Sequence, residues 1–138
     1  MQYRSHAAKL EKLRDLPAET ADKVRIQLLG NIEFPYEVEQ CQKRGAVGIG
    51  LYRTEFLFMN RPAPPNEEEQ FRAYVKVVKS MPGKPVTIRT LDLGADKQVD
   101  GGRAGAAITV NPALGLRAVR LCLHDTSLFR PQLRAILR

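Results

Sequence analysis

The sequence predicts an α/β fold in which helices cover a parallel sheet. The chain has 138 residues, 43% of them apolar and 27% charged, which is the composition of a folded domain or of a piece of one. Short apolar segments alternate along the chain with stretches of helical periodicity. Because crossovers between parallel strands are right-handed, the order strand, helix, strand, helix, strand, helix favours one sheet with helices outside it.

The first half of the chain is predicted to form two helices and two strands. Apolar residues recur at helical spacing before Pro17, which ends the first helix: Tyr3, Ala7, Leu10 and Leu13. Residues 24–32 are rich in β-favouring side chains and predict a strand that stops at Phe34-Pro35. The next two elements are a short helix over residues 36–44, closed by Gly45, and a second strand over residues 46–52.

A proline-rich loop separates the second strand from the next helix. Three prolines in RPAPPN, residues 61–66, deny the backbone the donors that a helix or strand would use. Asn66 is followed by three glutamates, which is typical of an N-cap and an acidic first turn. The pattern predicts a helix over residues 67–80, and the β-branched segment at residues 85–91 predicts the third strand.

The last part of the chain is predicted to contain a loop and two helices. Residues 94–110 are rich in glycine and alanine and are expected to form a loop. Asn111-Pro112 predicts the start of a helix that runs through Leu123. A final helix covers roughly residues 126–138, and we expect Pro131 to delay its regular part.

The charge of the chain points to an anionic partner. It has 22 Lys+Arg against 15 Asp+Glu, a net charge of +7. The basic residues are scattered among acidic ones, so we expect a small anion such as a phosphate and no nucleic acid. No apolar run approaches the roughly 18 residues of a membrane span, and the first residues are polar, so we expect no membrane insertion and a cytoplasmic protein.

Neither the cysteines nor the histidines show a catalytic pattern. Cys41 and Cys122 have no CxxC spacing, which favours two small buried thiols over a zinc site or a disulfide. His6 lies in a charged helical stretch and His124 beside Asp125, and we expect neither to be catalytic. The sequence also shows no acidic spacing that would hold a metal.

Two strand ends carry the same Arg-Thr pair. Arg53 follows the second strand in GLYRTEF, and Arg89 lies near the end of the third strand in TIRTLDLG. Since equivalent positions of parallel strands face the same end, the two guanidinium groups should meet at the carboxyl edge of the sheet, where α/β folds bind ligands. They could form a clamp for an oxyanion, or each could simply pair with an acid such as Glu55 or Asp92.

Two further cations are candidates for the same edge. Arg117, expected one and a half turns into the helix, lies close to Gly115, which allows close backbone approach. Lys97, in GADK after the third strand, could add a point charge, although a loop lysine is usually just exposed. Arg120 and Arg134 are expected on solvated helix faces.

Three ordered motifs resemble the phosphoenolpyruvate-binding domain of the enzyme I family of the bacterial sugar phosphotransferase system. They are GAVGIGLYRTEFLFM at residues 45–59, TIRTLDLGADK at 87–97 and NPALGLRAVR at 111–120. The resemblance runs over the whole chain. It implies the first three βα units of a (β/α)8 TIM barrel, residues 21–138, preceded by the end of a linker helix, residues 1–20.

The resemblance also implies a function and a set of site residues. In the family, phosphoenolpyruvate gives its phosphoryl group to a histidine on a separate domain and then to the carrier HPr, with magnesium, to drive sugar uptake. The matching substrate-binding residues here are Arg53, Arg89, Lys97 and Arg117. The metal ligands and catalytic residues are expected outside this chain, and the full-length protein is expected to be a homodimer. A non-catalytic phosphate-binding or regulatory module remains the alternative.

Overall fold

The computed structural model describes residue 13, residues 16–94 and residues 114–138. These residues form three strands, β1 (Gly30–Ile32), β2 (Ile49–Arg53) and β3 (Val86–Arg89). They also form four α-helices, α1 (Val38–Lys43), α2 (Glu67–Lys79), α3 (Val119–His124) and α4 (Thr126–Leu137). Two 3₁₀ turns, Pro35–Glu37 and Thr54–Leu57, precede α1 and follow β2. The predicted helix before Pro17 lies almost wholly outside the described residues.

The three strands form one parallel sheet in the order β1-β2-β3. Ile32 pairs with Tyr52 across β1 and β2, and Tyr52 pairs in turn with Ile88 of β3. The α/β class and the parallel arrangement are therefore confirmed for the described part of the chain. All three strands end at one edge, which we call the carboxyl edge.

The first strand is much shorter than the predicted strand over residues 24–32. Part of this apolar segment bonds back onto the preceding chain, because Thr20 N donates to Val24 O at 2.9 Å and Ile26 N donates to Ala18 O at 2.8 Å. The backbone groups of this turn are thus satisfied without sheet pairing. Apolar side chains in the segment are 41–55% exposed: Val24, Ile26, Leu28 and Leu29.

The predicted helix over residues 67–80 is confirmed by α2. Its N-terminus has a reciprocal capping box in which Asn66 Oδ1 accepts from Glu69 N at 2.9 Å and Glu69 Oε2 accepts from Asn66 N at 2.8 Å. Two of the donors that a helix start leaves unpaired are satisfied in this way. The short helix before Gly45 is also confirmed, and Gly45 ends it with φ 86°.

The prediction of a helix from Asn111-Pro112 through Leu123 is wrong for residues 114–118. Residues 114–118 are turns and a bridge, and α3 begins only at Val119. Arg117 forms an antiparallel bridge with Gly94, and Ala118, at φ 50°, donates its N–H to Leu93 O at 3.0 Å. Pairing with the segment after β3 therefore replaces the helical hydrogen bonds. Asn111-Pro112 itself lies outside the described residues.

The expectation that Pro131 delays the last helix is also wrong. Helix α4 is regular from Thr126 and contains Pro131. Asp125 Oδ1 caps its start by accepting from Ser127 N at 3.1 Å. Pro131 is the sixth residue of the helix, where it removes the hydrogen bond that a backbone N–H would donate to Ser127 O. The cap and the packing of α4 outweigh that loss.

Helices α2 and α4 pack together over the sheet and close the main core. Its buried residues come from every layer: Ile32, Val38, Ile49, Tyr52, Tyr74, Val77, Met81 and Ala135. The rings of Tyr52 and Tyr74 meet edge to face with centroids 6.0 Å apart. Burial raises the pKa of Tyr74 to about 12, so this phenol stays protonated and can donate a hydrogen bond.

A smaller core lies against the segment that follows β3. Its buried residues are Phe58, Leu91, Leu93 and Cys122. This cluster packs residues 91–93, directly after β3, against α3 and Phe58. Among the residues described, no helix is long and apolar enough to cross a membrane.

Candidate anion-binding site

Arg53 and Arg89 occupy matching positions at the carboxyl edge. Arg53 is the last residue of β2, Arg89 is the last residue of β3, and the two are direct partners in the parallel register. The prediction that both arginines reach the same edge is confirmed. Adjacent strands lie about 4.8 Å apart, so two guanidinium groups that start from these positions can share one phosphate-sized anion.

Arg53 is held by an acid that the sequence analysis did not name. Its Nη1 lies 3.0 Å from Oε1 of Glu33, the residue directly after β1. Both side chains are about one-third exposed, at 39% and 34%, so the pair adds little to stability and can exchange partners. The position of Glu33 after the first strand places it at the same edge as the arginines, which is the signal that could have identified it.

Arg89 is held more firmly, by a buried carboxylate. Its Nε donates to Glu55 Oε1 at 3.1 Å, and its Nη2 lies within ion-pair distance of Glu55 Oε2, at 3.1 Å, without a hydrogen bond between those two atoms. Glu55 is only 5% exposed and also accepts from Asp92 N at 2.9 Å. The guanidinium of Arg89 is thereby held beside Glu55 by one hydrogen bond and by the charge of a buried carboxylate.

Arg117 reaches the same edge through Asp92. Its Nε donates to Asp92 Oδ1 at 2.8 Å, while Asp92 Oδ2 lies 3.4 Å from Arg89 Nη1. The carboxylate of Asp92 therefore bridges two arginines. The backbone bridge with Gly94, and not the predicted helix, brings Arg117 to this edge.

The acidic pairing that the sequence left open for Arg53 and Arg89 is thus present at both, and also at Arg117. The side chains of Arg53, Arg89 and Arg117 nevertheless remain 35–39% exposed. A guanidinium has five N–H donors, and among the ion pairs described Arg53 uses only Nη1, for Glu33. Arg89 already faces Glu55 and Asp92, so an anion there has to compete with a carboxylate. Lys97, the fourth candidate, lies outside the described residues.

The described cysteines and His124 take no part in the ion pairs at this edge. Both cysteines are free thiols; Cys122 is buried, as the sequence predicted, whereas Cys41 is only half-buried. Burial raises the pKa of both thiols, which keeps them protonated and poorly nucleophilic. His124 ends α3, whereas His6 lies outside the described residues.

Residues 7–138 of this chain match a family model described as PEP-utilising enzyme, PEP-binding domain. The parallel sheet with arginines at its carboxyl edge lies within this range. The chain belongs to this family. It is 48% identical over 136 residues to the phosphoenolpyruvate-protein phosphotransferase of Staphylococcus aureus. Proteins of the same name from Staphylococcus epidermidis and Cupriavidus necator are 51% identical over 129 residues and 50% identical over 131 residues.

These alignments cover 94–99% of the chain but only 22–23% of the relatives. The chain therefore spans less than a quarter of the length of the proteins that it matches. The resemblance to the enzyme I family, read from three motifs, is confirmed. The relatives are named as transferases.

Proposed function

We propose that this chain is the start of the phosphoenolpyruvate-binding barrel of a phosphoenolpyruvate-protein phosphotransferase. Its sheet would supply the first three strands of the (β/α)8 barrel, and residues 1–20 would end the linker helix. The register pairing of Arg53 with Arg89 at the carboxyl edge carries the proposal. Active sites of such barrels lie at that edge.

In this proposal Arg53 and Arg89 bind the phosphate of phosphoenolpyruvate. A guanidinium keeps its charge at any physiological pH and presents paired donors that match two phosphate oxygens. Arg117, tied to Arg89 through Asp92, supports the same anion. Lys97 is retained as a fourth ligand on the strength of the family motif alone.

The contribution of these residues to phosphoryl transfer is orientation and charge neutralisation. Phosphoryl transfer needs little covalent help from the protein and depends mainly on positioning and electrostatics. In the whole protein, which we propose to be a cytoplasmic homodimer, the phosphoryl group would pass to a histidine on another domain and then to HPr for sugar uptake. The described residues would fix the donor phosphate during that step.

Magnesium, which the resemblance implies for the whole protein, does not fit the described part of this site. Glu33, Glu55 and Asp92 each pair with an arginine. No group of three or more metal-binding side chains occurs among the residues that the structure describes. The proposal for this chain therefore contains no metal-dependent step.

Binding of phosphoenolpyruvate and of inorganic phosphate, measured by calorimetry or NMR titration, tests the proposal. Arg53→Ala or Arg89→Ala should remove a charged contact of about 2 kcal/mol and raise Kd more than tenfold. Arg72→Ala is the matched control, because the side chain of Arg72 is 77% exposed on α2 and pairs only with its own helix neighbour Glu68 among the ion pairs described. Equal losses for all three variants, or no binding by the parent chain, would refute the assignment.

The isolated chain should bind the anion but not turn it over. In the proposal the phosphorylated histidine belongs to a separate domain, so mixing the chain with phosphoenolpyruvate, magnesium and HPr should produce no phospho-HPr. Radiolabel transfer or a phosphate-retarding gel measures this directly. Transfer above background by the purified chain would contradict the division of labour proposed here.

A further inference from the structure

A buried set of hydrogen bonds links α4 to the ends of both arginine-bearing strands. Gln132 is fully buried on α4, and its Nε2 donates to Thr54 Oγ1 and to Tyr74 OH, each at 3.1 Å. Its Oε1 accepts from Leu91 N at 2.8 Å. One side chain thus bonds the residue after β2 and a residue just beyond β3.

The direction of every proton in this set is determined by the partners. Thr54 Oγ1 donates onward to the carbonyl oxygen of Arg89 at 2.8 Å. Tyr74 OH donates to Gln70 Oε1 at 2.9 Å. Because both hydroxyls use their protons elsewhere, residue 132 must donate to them while it accepts from Leu91 N. Only an amide of this length supplies both functions.

We propose that Gln132 is a positioning residue for the anion site. The proposal rests on the function proposed above, in which Arg53 and Arg89 bind one anion. Thr54 directly follows Arg53, and Leu91 lies two residues after Arg89. By holding both, Gln132 sets the separation and direction of the two arginines without touching the anion itself.

The hydrogen bonds of the sheet alone cannot position the two side chains, because β2 ends at Arg53 and β3 ends at Arg89. Beyond β2 the chain turns into the 3₁₀ turn Thr54–Leu57, and beyond β3 it leaves strand geometry. Without an acceptor at residue 132, the buried N–H of Leu91 would lose its hydrogen bond. A buried N–H without a partner costs free energy, so the backbone at Leu91 would shift to find another acceptor. A shift there would rotate the fork of Arg89 against Glu55.

The test compares Gln132→Met with Ala135→Gly. The first variant keeps the side-chain length but removes the amide, whereas the second loosens the same helix at a buried apolar position. Both should lower the melting temperature. Gln132→Met should in addition raise Kd for inorganic phosphate at least fivefold, speed hydrogen exchange of the Leu91 amide at least tenfold and move the Arg89 Nε NMR signal, all measured well below the melting point.

Thr54→Val provides a second variant that interrupts the same link with no change of shape, should Gln132→Met fail to fold. Unchanged Leu91 exchange and an unchanged Arg89 signal would overturn the positioning role even if the parent chain binds phosphate. An equal rise of Kd in Ala135→Gly would also overturn it, by showing a general effect of stability. Absence of binding by the parent chain would instead refute the proposed anion site, while the two local NMR readouts still decide the role of Gln132 at Arg89.

Discussion

Replacing Asp92 with asparagine should tighten anion binding at the carboxyl edge. Asp92 contacts Arg117 Nε at 2.8 Å and Arg89 Nη1 at 3.4 Å, so its negative charge competes with any anion for the same cations. Asparagine has the same shape, and its oxygen can still accept from Arg117. The substitution therefore removes the charge and keeps the contact with Arg117. It also releases Arg89, because the amide NH2 group that replaces Oδ2 cannot accept from Nη1.

Coulomb's law gives the size of the expected gain in affinity for the anion. An anion shared by Arg53 and Arg89 would lie roughly 8 Å from the Asp92 carboxylate, and two unit charges at that distance repel by about 2 kcal/mol at an effective dielectric constant near 20. The Asp92 side chain is 25% exposed, and solvent and salt reduce this repulsion to about 1 kcal/mol. We expect Kd for phosphate to fall roughly fivefold.

Calorimetric titration with inorganic phosphate at low and at high salt measures the effect. The matched control is Glu68→Gln, which changes the net charge equally on the exposed surface of α2. The gain in Asp92→Asn should shrink at high salt, and the control should bind like the parent chain. Weaker binding by Asp92→Asn, or the same gain in the control, would refute the reasoning.

Three further predictions concern stability and reactivity. Asn66→Ala should lower the free energy of unfolding by about 1 kcal/mol through loss of the helix cap, as measured by urea denaturation. Gly48→Ala should lower the free energy of unfolding more than Gly83→Ala does. A Cβ at Gly48 would meet a proline ring and a backbone oxygen at 2.7 Å, whereas at Gly83 only the φ of 70° disfavours alanine. Equal losses of stability would contradict this prediction. Cys122 should react with a thiol reagent more slowly than Cys41 in the folded chain, because it is almost fully buried. Mass spectrometry of the modified peptides measures the order, and faster modification of Cys122 would contradict the prediction.

The sequence was sufficient for the features that local patterns determine. Helix α2 follows from its cap and its acidic first turn, and the common edge of Arg53 and Arg89 follows from strand direction alone. Both depend on interactions between residues that are near in sequence or on a general rule of parallel sheets. The lengths of the strands could not be predicted in the same way, because apolar residues before β1 bond to a preceding turn.

Features that depend on distant pairing escaped the sequence analysis. Arg117 lies outside a helix because its backbone bonds to Gly94, and nothing in NPALGLRAVR shows this partner. Glu33 was missed because its link to Arg53 joins residues on two different strands. The role of Gln132 is visible only when α4 is packed against the strand ends, since a single glutamine on an amphipathic helix resembles any surface residue.

Each strand of the sheet is followed by an acid that pairs with an arginine: Glu33 after β1, Glu55 after β2 and Asp92 after β3. The described site is therefore close to electrically neutral before any ligand arrives, although the chain as a whole carries +7. A neutral site exerts little long-range attraction, so the association rate of an anion should depend only weakly on salt. Ligands would be selected after contact, by whether their oxygens fit the guanidinium forks better than the resident carboxylates do.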